Sequence, residues 1–173
     1  MRKLSSEELG RISEEEFKNA IKHPVKVILD NIRSGSNTGS IFRTCDAFAV
    51  EELILLGLTP SPPHREILKT ALGATASVKW VKPENGLDYL NQLRLEGYKI
   101  IAVEQTSESM QLDEFSWPDK SAIVLGNEVE GVSDEVLTLC DFAVEIRQSG
   151  TKHSLNVAVA GGVVLWEIFK NKS

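Results

Sequence analysis

Cysteine and histidine are scarce in this chain, which holds only Cys45, Cys140, His23, His64 and His153. None of them fall at short metal-ligand spacing, so no metal cluster is expected. Two distant thiols make no disulfide framework either, and a reducing, cytoplasmic setting follows as the expectation. Long apolar runs are also missing. The longest, Val157 to Trp166, is interrupted by Gly161 and Gly162 and falls well short of the roughly 20 residues of a membrane helix. The charged stretch Met1–Lys22 does not read as a signal peptide, so no membrane association is expected. Positive charge is not in excess: 19 Lys+Arg against 25 Asp+Glu leave a net charge of −6. That argues against avid non-specific nucleic-acid binding, which needs a basic domain, and leaves room for a local basic patch. Finally, neither Gly-x-Gly-x-x-Gly nor a Gly-Lys-Ser/Thr phosphate loop is present, which removes the fingerprints of a dinucleotide-dependent dehydrogenase or a kinase.

What remains is 173 residues with 42% apolar and 25% charged, the composition of one globular domain. A chain of this length buries roughly 68–70% of its unfolded surface without metal or disulfide staples. Ser5-Ser6-Glu7-Glu8 and Ser13-Glu14-Glu15-Glu16 both match the capping box, so the first residues are expected to form one or two short acidic helices. Short apolar runs then alternate with helical ones. Val25–Leu29, Leu53–Leu56, Val78–Val81, Ile100–Val103, Ala122–Leu125 and Phe142–Ile146 read as strands. Thr38–Phe48, His64–Leu72, Gly86–Leu95, Ser133–Leu139 and Leu155–Phe169 read as helices, and Met110–Asp119 as a long loop. Near-continuous apolar strands mean that helices cover both sheet faces, so the fold class is α/β with a mostly parallel sheet.

In such sheets ligands sit at the carboxyl ends of the strands, which directs attention to three loops. Asp30 to Gly39 is polar and enters a helix; it is either an anion-binding helix entry or a plain turn with Asn37 as N-cap. On that helix, at about 100° per residue, Arg43 shares a face with Gly39, beside a gap without a side chain. Its guanidinium is either aimed at a phosphate or oxyanion or paired with Asp46 at i+3. Leu125-Gly126-Asn127-Glu128-Val129-Glu130-Gly131 follows a strand and precedes Ser133, the next N-cap; it is either a ligand loop, with Gly126 open to close backbone approach and Glu128 as an acid at the sheet's rim, or a tight turn with exposed acids. Arg147 to Ser154 enters a helix apolar nearly all round, which is expected to be buried. There Ser154 is a candidate N-cap, and Asn156, as a buried amide, needs a partner.

These loops resemble the motifs of the SpoU (TrmH-like) RNA ribose 2′-O-methyltransferases of the SPOUT superfamily. Asn31-Ile32-Arg33 with Asn37-Thr38-Gly39-Ser40-Ile41-Phe42-Arg43-Thr44 is similar to the first motif, Ile123 to Glu128 with Gly131 to the second, and Ser154-Leu155-Asn156-Val157-Ala158-Val159-Ala160 to the third. Lys69-Thr70-Ala71-Leu72-Gly73-Ala74 adds to the likeness, which runs from about Val25 to Phe169. Departures are Arg147 and Gln148 where the family has Pro and Met, Val129 for a frequent Gly, and Ala49 for Gly.

The resemblance implies a SPOUT domain over residues 25–173, with a deep C-terminal trefoil knot and an N-terminal helical extension over 1–24. It implies S-adenosylmethionine as cofactor, a homodimer, and tRNA or rRNA as substrate. Gln105, Gly126, Ile146, Ser154 and Leu155 would line the cofactor pocket. Arg43 corresponds to the catalytic arginine, and Asn37, Glu128, Ser154 and Asn156 to its supporting polar residues. Arg33, Arg65, Lys69 and Lys152, with His64 and His153 nearby, are candidate RNA contacts. A different class remains open: an RNA-binding or ribosome-assembly protein on the same fold with weak catalysis.

Overall fold

The computed structural model describes residues 1–5 and 8–172. Apolar runs of four to eight residues become parallel strands because helices cover both of their faces. The strands are β1 (His23–Asp30), β2 (Val50–Leu56), β3 (Trp80–Val81), β4 (Lys99–Val103), β5 (Met110–Gln111), β6 (Ser121–Leu125) and β7 (Phe142–Glu145). They form one sheet in the order β3-β2-β1-β6-β4-β7-β5, with every neighbouring pair parallel. The expected fold class is therefore observed. Met110–Asp119, expected as loop, departs at its start: Met110 and Gln111 add a short edge strand to β7, continued by Leu112 N–H donating to Glu145 O.

Side chains alternate across the central strands. Val25, Val27 and Leu29 of β1 enter a core with Ile41, Phe42 and Cys45 of α2 (Gly35–Ala47), Ile67 of α3 (Arg65–Ala71), Ala74 of α4 (Ala74–Ser77) and Val164, Leu165 and Ile168 of α7 (Val157–Lys172). Ile28 points the other way, into a core with Leu90 and Leu93 of α5 (Gly86–Leu95) and Val136 of α6 (Asp134–Leu137). Each such side chain contributes about 1.5–3 kcal/mol when fully buried. β1 leads to α2 on one face and β6 to α6 on the other, yet the loops after these two strands are tied together at the strand ends, where Asn127 Nδ2 donates to Asn31 O at 2.7 Å.

Several local expectations change. Of the one or two short helices expected near the start, α1 (Glu14–Asn19) is present among the described residues, with the full capping box of Ser13 and Glu16. Ser5 and Glu8 also exchange reciprocal bonds, while Ser6 and Glu7 of that motif lie outside the described residues. α2 begins at Gly35 and is capped by Ser34, whose Oγ accepts Asn37 N–H at 3.2 Å. Asn37 is thus inside the first turn and its side chain is free for other partners. Ser133 precedes α6 without a side-chain cap bond. α7 is not buried all round: Val159, Val163 and Trp166, on one stripe, are exposed, whereas Val164, Leu165 and Ile168 fill the core.

Candidate active site

Four loops at the carboxyl ends of β1, β4, β6 and β7 meet, and the last three enclose a cavity of about 530 Å³. Its lining includes Val103, Leu125, Ile146, Leu155 and Val157, with Glu104, Glu128 and Glu145 and, among the described residues, no Lys or Arg. All five residues expected to hold a cofactor, Gln105, Gly126, Ile146, Ser154 and Leu155, line this one cavity.

The loop after β1 joins it through Glu128. The Glu128 carboxylate accepts Arg33 N–H at 3.0 Å, Ser34 N–H at 3.2 Å and Asn37 Nδ2 at 2.9 Å. Burial raises the Glu128 pKa, but these donors, with its own N–H, outweigh that and hold the carboxyl below its ordinary value. Glu128 is consequently an ionised acceptor that closes the entry of α2 against the loop after β6. Asn37 passes the contact on: its Oδ1 accepts Asn156 Nδ2 at 3.1 Å. Asn156 Oδ1 in turn accepts Ala158 N–H at 2.9 Å and Val159 N–H at 3.3 Å. Asn156, exposed rather than buried, is therefore the residue that caps α7, and Ser154 is not. Ser154 is an exposed part of the cavity wall.

At two glycines packing leaves no room for a side chain. A Cβ on Gly126 would lie 2.2 Å from the Gly131 and Val132 backbone, because Asn127 and Gly131 bridge as an antiparallel pair there. A Cβ on Gly39 would lie 2.1 Å from Thr70 Oγ1 and 2.5 Å from Ile67 O. The gap expected beside Arg43 is filled by α3.

Arg43 itself is exposed on α2 and does not line the cavity. It is not paired with Asp46, whose carboxylate accepts the Ser77 hydroxyl instead. Arg33, Arg65, Lys69 and Lys152 are likewise exposed. Arg147 turns outward, 3.5 Å from Glu114 and 3.9 Å from Asp113, whereas Gln148 and Val129 line the cavity. Of the four departures from the motifs, those two are the ones that reach it.

Sequence reasoning missed Glu104. Its Oε1 accepts Gln105 N–H at 2.9 Å and its Oε2 accepts Val132 N–H at 3.0 Å, so it ties the loops after β4 and β6. Gln105 Nε2 donates to His153 O at 2.8 Å and ties in the third loop. Asp30 holds Ser133 N–H at 2.8 Å. The signal available for both acids was their place, the residue at or just after the end of an apolar strand.

Residues 24–166 match the sequence profile of the SpoU rRNA Methylase family. The chain is 35% identical over 146 residues to a tRNA (guanosine(18)-2′-O)-methyltransferase, TARBP1, of Mus musculus, covering 82% of this chain and 9% of that protein. It is 34% identical over 147 residues to the tRNA (guanosine(18)-2′-O)-methyltransferase of Aquifex aeolicus, covering 82% of this chain and 66% of that one. The chain thus spans less than two thirds of the length of these relatives. Among solved structures, the A. aeolicus TrmH/SpoU tRNA modifying enzyme superposes with a TM-score of 0.82 at 26% identity, over 92% of this chain and 82% of that one. An AdoMet-bound rRNA methyltransferase from Sinorhizobium meliloti gives 0.81 at 26% identity, over 90% and 60%.

Proposed function

The chain belongs to the SpoU rRNA methylase family, and on that premise we propose that it is an S-adenosylmethionine-dependent ribose 2′-O-methyltransferase of tRNA or rRNA. The observation that carries this reading is the hydrogen-bonded line Glu128–Asn37–Asn156, which joins three distant motifs at the edge of the cavity. A volume of about 530 Å³ is in the range of small-molecule sites. Its apolar walls suit an adenine ring, and its carboxylates, with no lining Lys or Arg, suit a positively charged sulfonium. Gln105, Gly126, Ile146, Ser154 and Leu155 would hold that cofactor, which when bound supplies an electrophilic methyl group.

The remaining chemistry falls to the chain's own side chains. A ribose 2′-hydroxyl is a poor acid, so its developing negative charge needs a fixed positive partner. Arg43 supplies it as a clamp on the oxyanion and the neighbouring phosphate. A guanidinium is effectively always protonated and does not serve as the base; the proton leaves to phosphate or water. Asn37, Glu128 and Asn156 hold the loops in place, and Ser154 lies at the cofactor side. Arg33, Arg65, Lys69 and Lys152 supply backbone contacts to RNA.

Because Arg43 does not reach the cavity of its own chain, a second copy completes the site. The stripe Val159, Val163 and Trp166 of α7, beside Phe48 and Phe169, is the surface on which a homodimer forms. The third motif enters α7 past Gln105 and Asn37, which supports a SPOUT methyltransferase domain over residues 25–173 with a trefoil knot in its C-terminal segment, residues 1–24 being a helical extension. A cytoplasmic location accords with RNA as substrate.

The test is transfer of labelled methyl from S-adenosylmethionine to unmodified total tRNA and rRNA, with alkali-resistant dinucleotides as readout. Label in such dinucleotides, lost in Arg43→Ala, is the expected result. Cofactor binding without transfer to either RNA would favour an assembly role, and no cofactor binding would overturn the reading.

A further inference from the structure

Three loops enclose the cavity, and they are not equally braced. The loop after β6 is held by the Asn127–Gly131 pair, by Asn127 Oδ1, which accepts Val129 N–H at 2.9 Å and Glu130 N–H at 3.1 Å, and by the bonds to Glu128. In the loop after β4, Thr106 N–H donates to Ser109 Oγ at 3.2 Å, and that hydroxyl donates to Glu145 Oε2 at 3.0 Å. The third wall is different. Every residue from Arg147 to Asn156 is exposed, and among the described residues Gln148, Ser149, Gly150, Thr151 and Lys152 make no hydrogen bond or ion pair. Yet Gln148, His153, Ser154 and Leu155 of this segment line the cavity.

Between the outward contacts of Arg147 and the Asn156–Asn37 bond, one hydrogen bond among the described residues holds that wall, from Gln105 Nε2 to His153 O at 2.8 Å. A segment so sparsely bonded opens locally at little cost, so this bond decides how long the wall stays closed. Gln105 is itself held. Glu104 N–H donates to Val144 O at 3.0 Å, while its carboxylate accepts Gln105 N–H at 2.9 Å and Val132 N–H at 3.0 Å. Gly131, at φ 73°, leaves the room for that carboxylate, since a Cβ there would lie 2.2 Å from Glu104 Oε2. The two adjacent residues therefore meet all three loops. Their bonds are between protein atoms, so the arrangement needs no ligand to close.

We propose that Gln105, positioned by Glu104, clasps segment 147–154 over bound S-adenosylmethionine and sets the rate at which the cofactor and its demethylated product are exchanged. The proposal rests on the methyltransferase reading above. A clasp slows entry and exit alike, whereas a direct contact with the cofactor slows exit and leaves entry unchanged. Opening of a closed wall, rather than chemistry, then governs how fast the product leaves.

The experiment compares the full chain with Gln105→Met, which keeps the length of the side chain and removes the donor, and with Glu104→Gln, which turns an amide N–H toward one of the two backbone N–H groups. Rapid-mixing kinetics give kon and koff for S-adenosylmethionine and S-adenosylhomocysteine, and amide hydrogen exchange reports the opening of residues 148–154. Gln105→Met is expected to raise kon and koff together by about two- to tenfold, the range of one net hydrogen bond. It also speeds exchange over 148–154 while that of β1 and β6 stays as in the wild type. Glu104→Gln shifts both readouts in the same direction. An unchanged kon, or unchanged exchange over 148–154, overturns the clasp, and a rise in koff by itself makes Gln105 a direct cofactor contact instead. Failure of the wild type to bind either compound overturns the underlying methyltransferase reading.

Discussion

Asn156 donates a 3.1 Å hydrogen bond to Asn37 across 119 positions of chain, and the two amides can satisfy their neighbours in only one orientation. Asn37 must present Nδ2 to the Glu128 carboxylate and therefore Oδ1 to Asn156. Asn156 must turn its own Oδ1 to the free N–H groups of α7. Replacing either asparagine thus disturbs both helix entries, and the effects are coupled. A double-mutant cycle of Asn37→Ala and Asn156→Ala, read in kcat/KM, is expected to show an interaction of about 0.5–3 kcal/mol. Strictly additive losses would show that the amides act separately.

Arg43→Ala is expected to lower methyl transfer by about 10²–10³-fold, the usual loss for one oxyanion donor. Cofactor affinity should stay near wild type, because Arg43 is outside the cavity lining. Arg43→Lys should recover little if the guanidinium grips phosphate and oxyanion together as a planar fork. Calorimetric cofactor binding beside single-turnover transfer separates the two quantities.

Far from the cavity, Lys26 and Glu52 are buried as an ion pair at 2.8 Å, with Lys79 at 2.8 Å and Tyr89 Oη at 2.9 Å also on Glu52. Burial raises the Glu52 pKa, yet its bonds to Lys26, Lys79 and Tyr89 outweigh this and leave it lowered. A lowered folded-state pKa contributes stability above the unfolded value, which is lost as pH falls through the folded value. Denaturant melts from neutral pH down to below the ordinary carboxylate range should show that loss, and Glu52→Gln should flatten it. Glu52→Ala removes the nearer partner of buried Lys26 and leaves it Glu51 at 3.5 Å, so it should cost no more than about 3–5 kcal/mol, while Lys26→Met with Glu52→Leu should cost much less.

Gly39→Ala places a methyl against Thr70 and the backbone of Ile67, so α2 and α3 must separate. Overpacking of this kind costs about 1–3 kcal/mol. Since Ile67 O is main chain, trimming Thr70 to alanine should restore only part of the loss, measurable as the midpoint of thermal unfolding.

Trp166 is 55% exposed on the apolar stripe of α7. Trp166→Glu is expected to shift sedimentation from dimer to monomer and to abolish methyl transfer while the isolated chain still binds cofactor. A monomeric variant with full turnover would remove the second copy from the active site.

The strands were legible in the sequence because apolar runs such as Ile100–Val103 and Ala122–Leu125 are continuous, and so were α5 and the polar loops at the strand ends. As a set, Gln105, Gly126, Ile146, Ser154 and Leu155 were legible only through their likeness to a family's motifs; the loops at the strand ends singled out Gly126 and Ser154 without it. Tertiary structure decided the rest. The order β3-β2-β1-β6-β4-β7-β5 depends on pairings between distant strands that no local pattern encodes. Met110–Gln111 is too short and polar to announce itself, and becomes a strand only because β7 offers it a free edge. Gly39, read locally as a gap beside Arg43, is filled by Ile67 and Thr70, and the place a side chain on Gly126 would take is occupied by the Gly131–Val132 backbone, as close packing requires. Asn37, Glu128 and Asn156 could be named from the chain, but which of them caps, which bridges and which stays ionised is settled by the donors and acceptors that folding brings within 3 Å or so of each one.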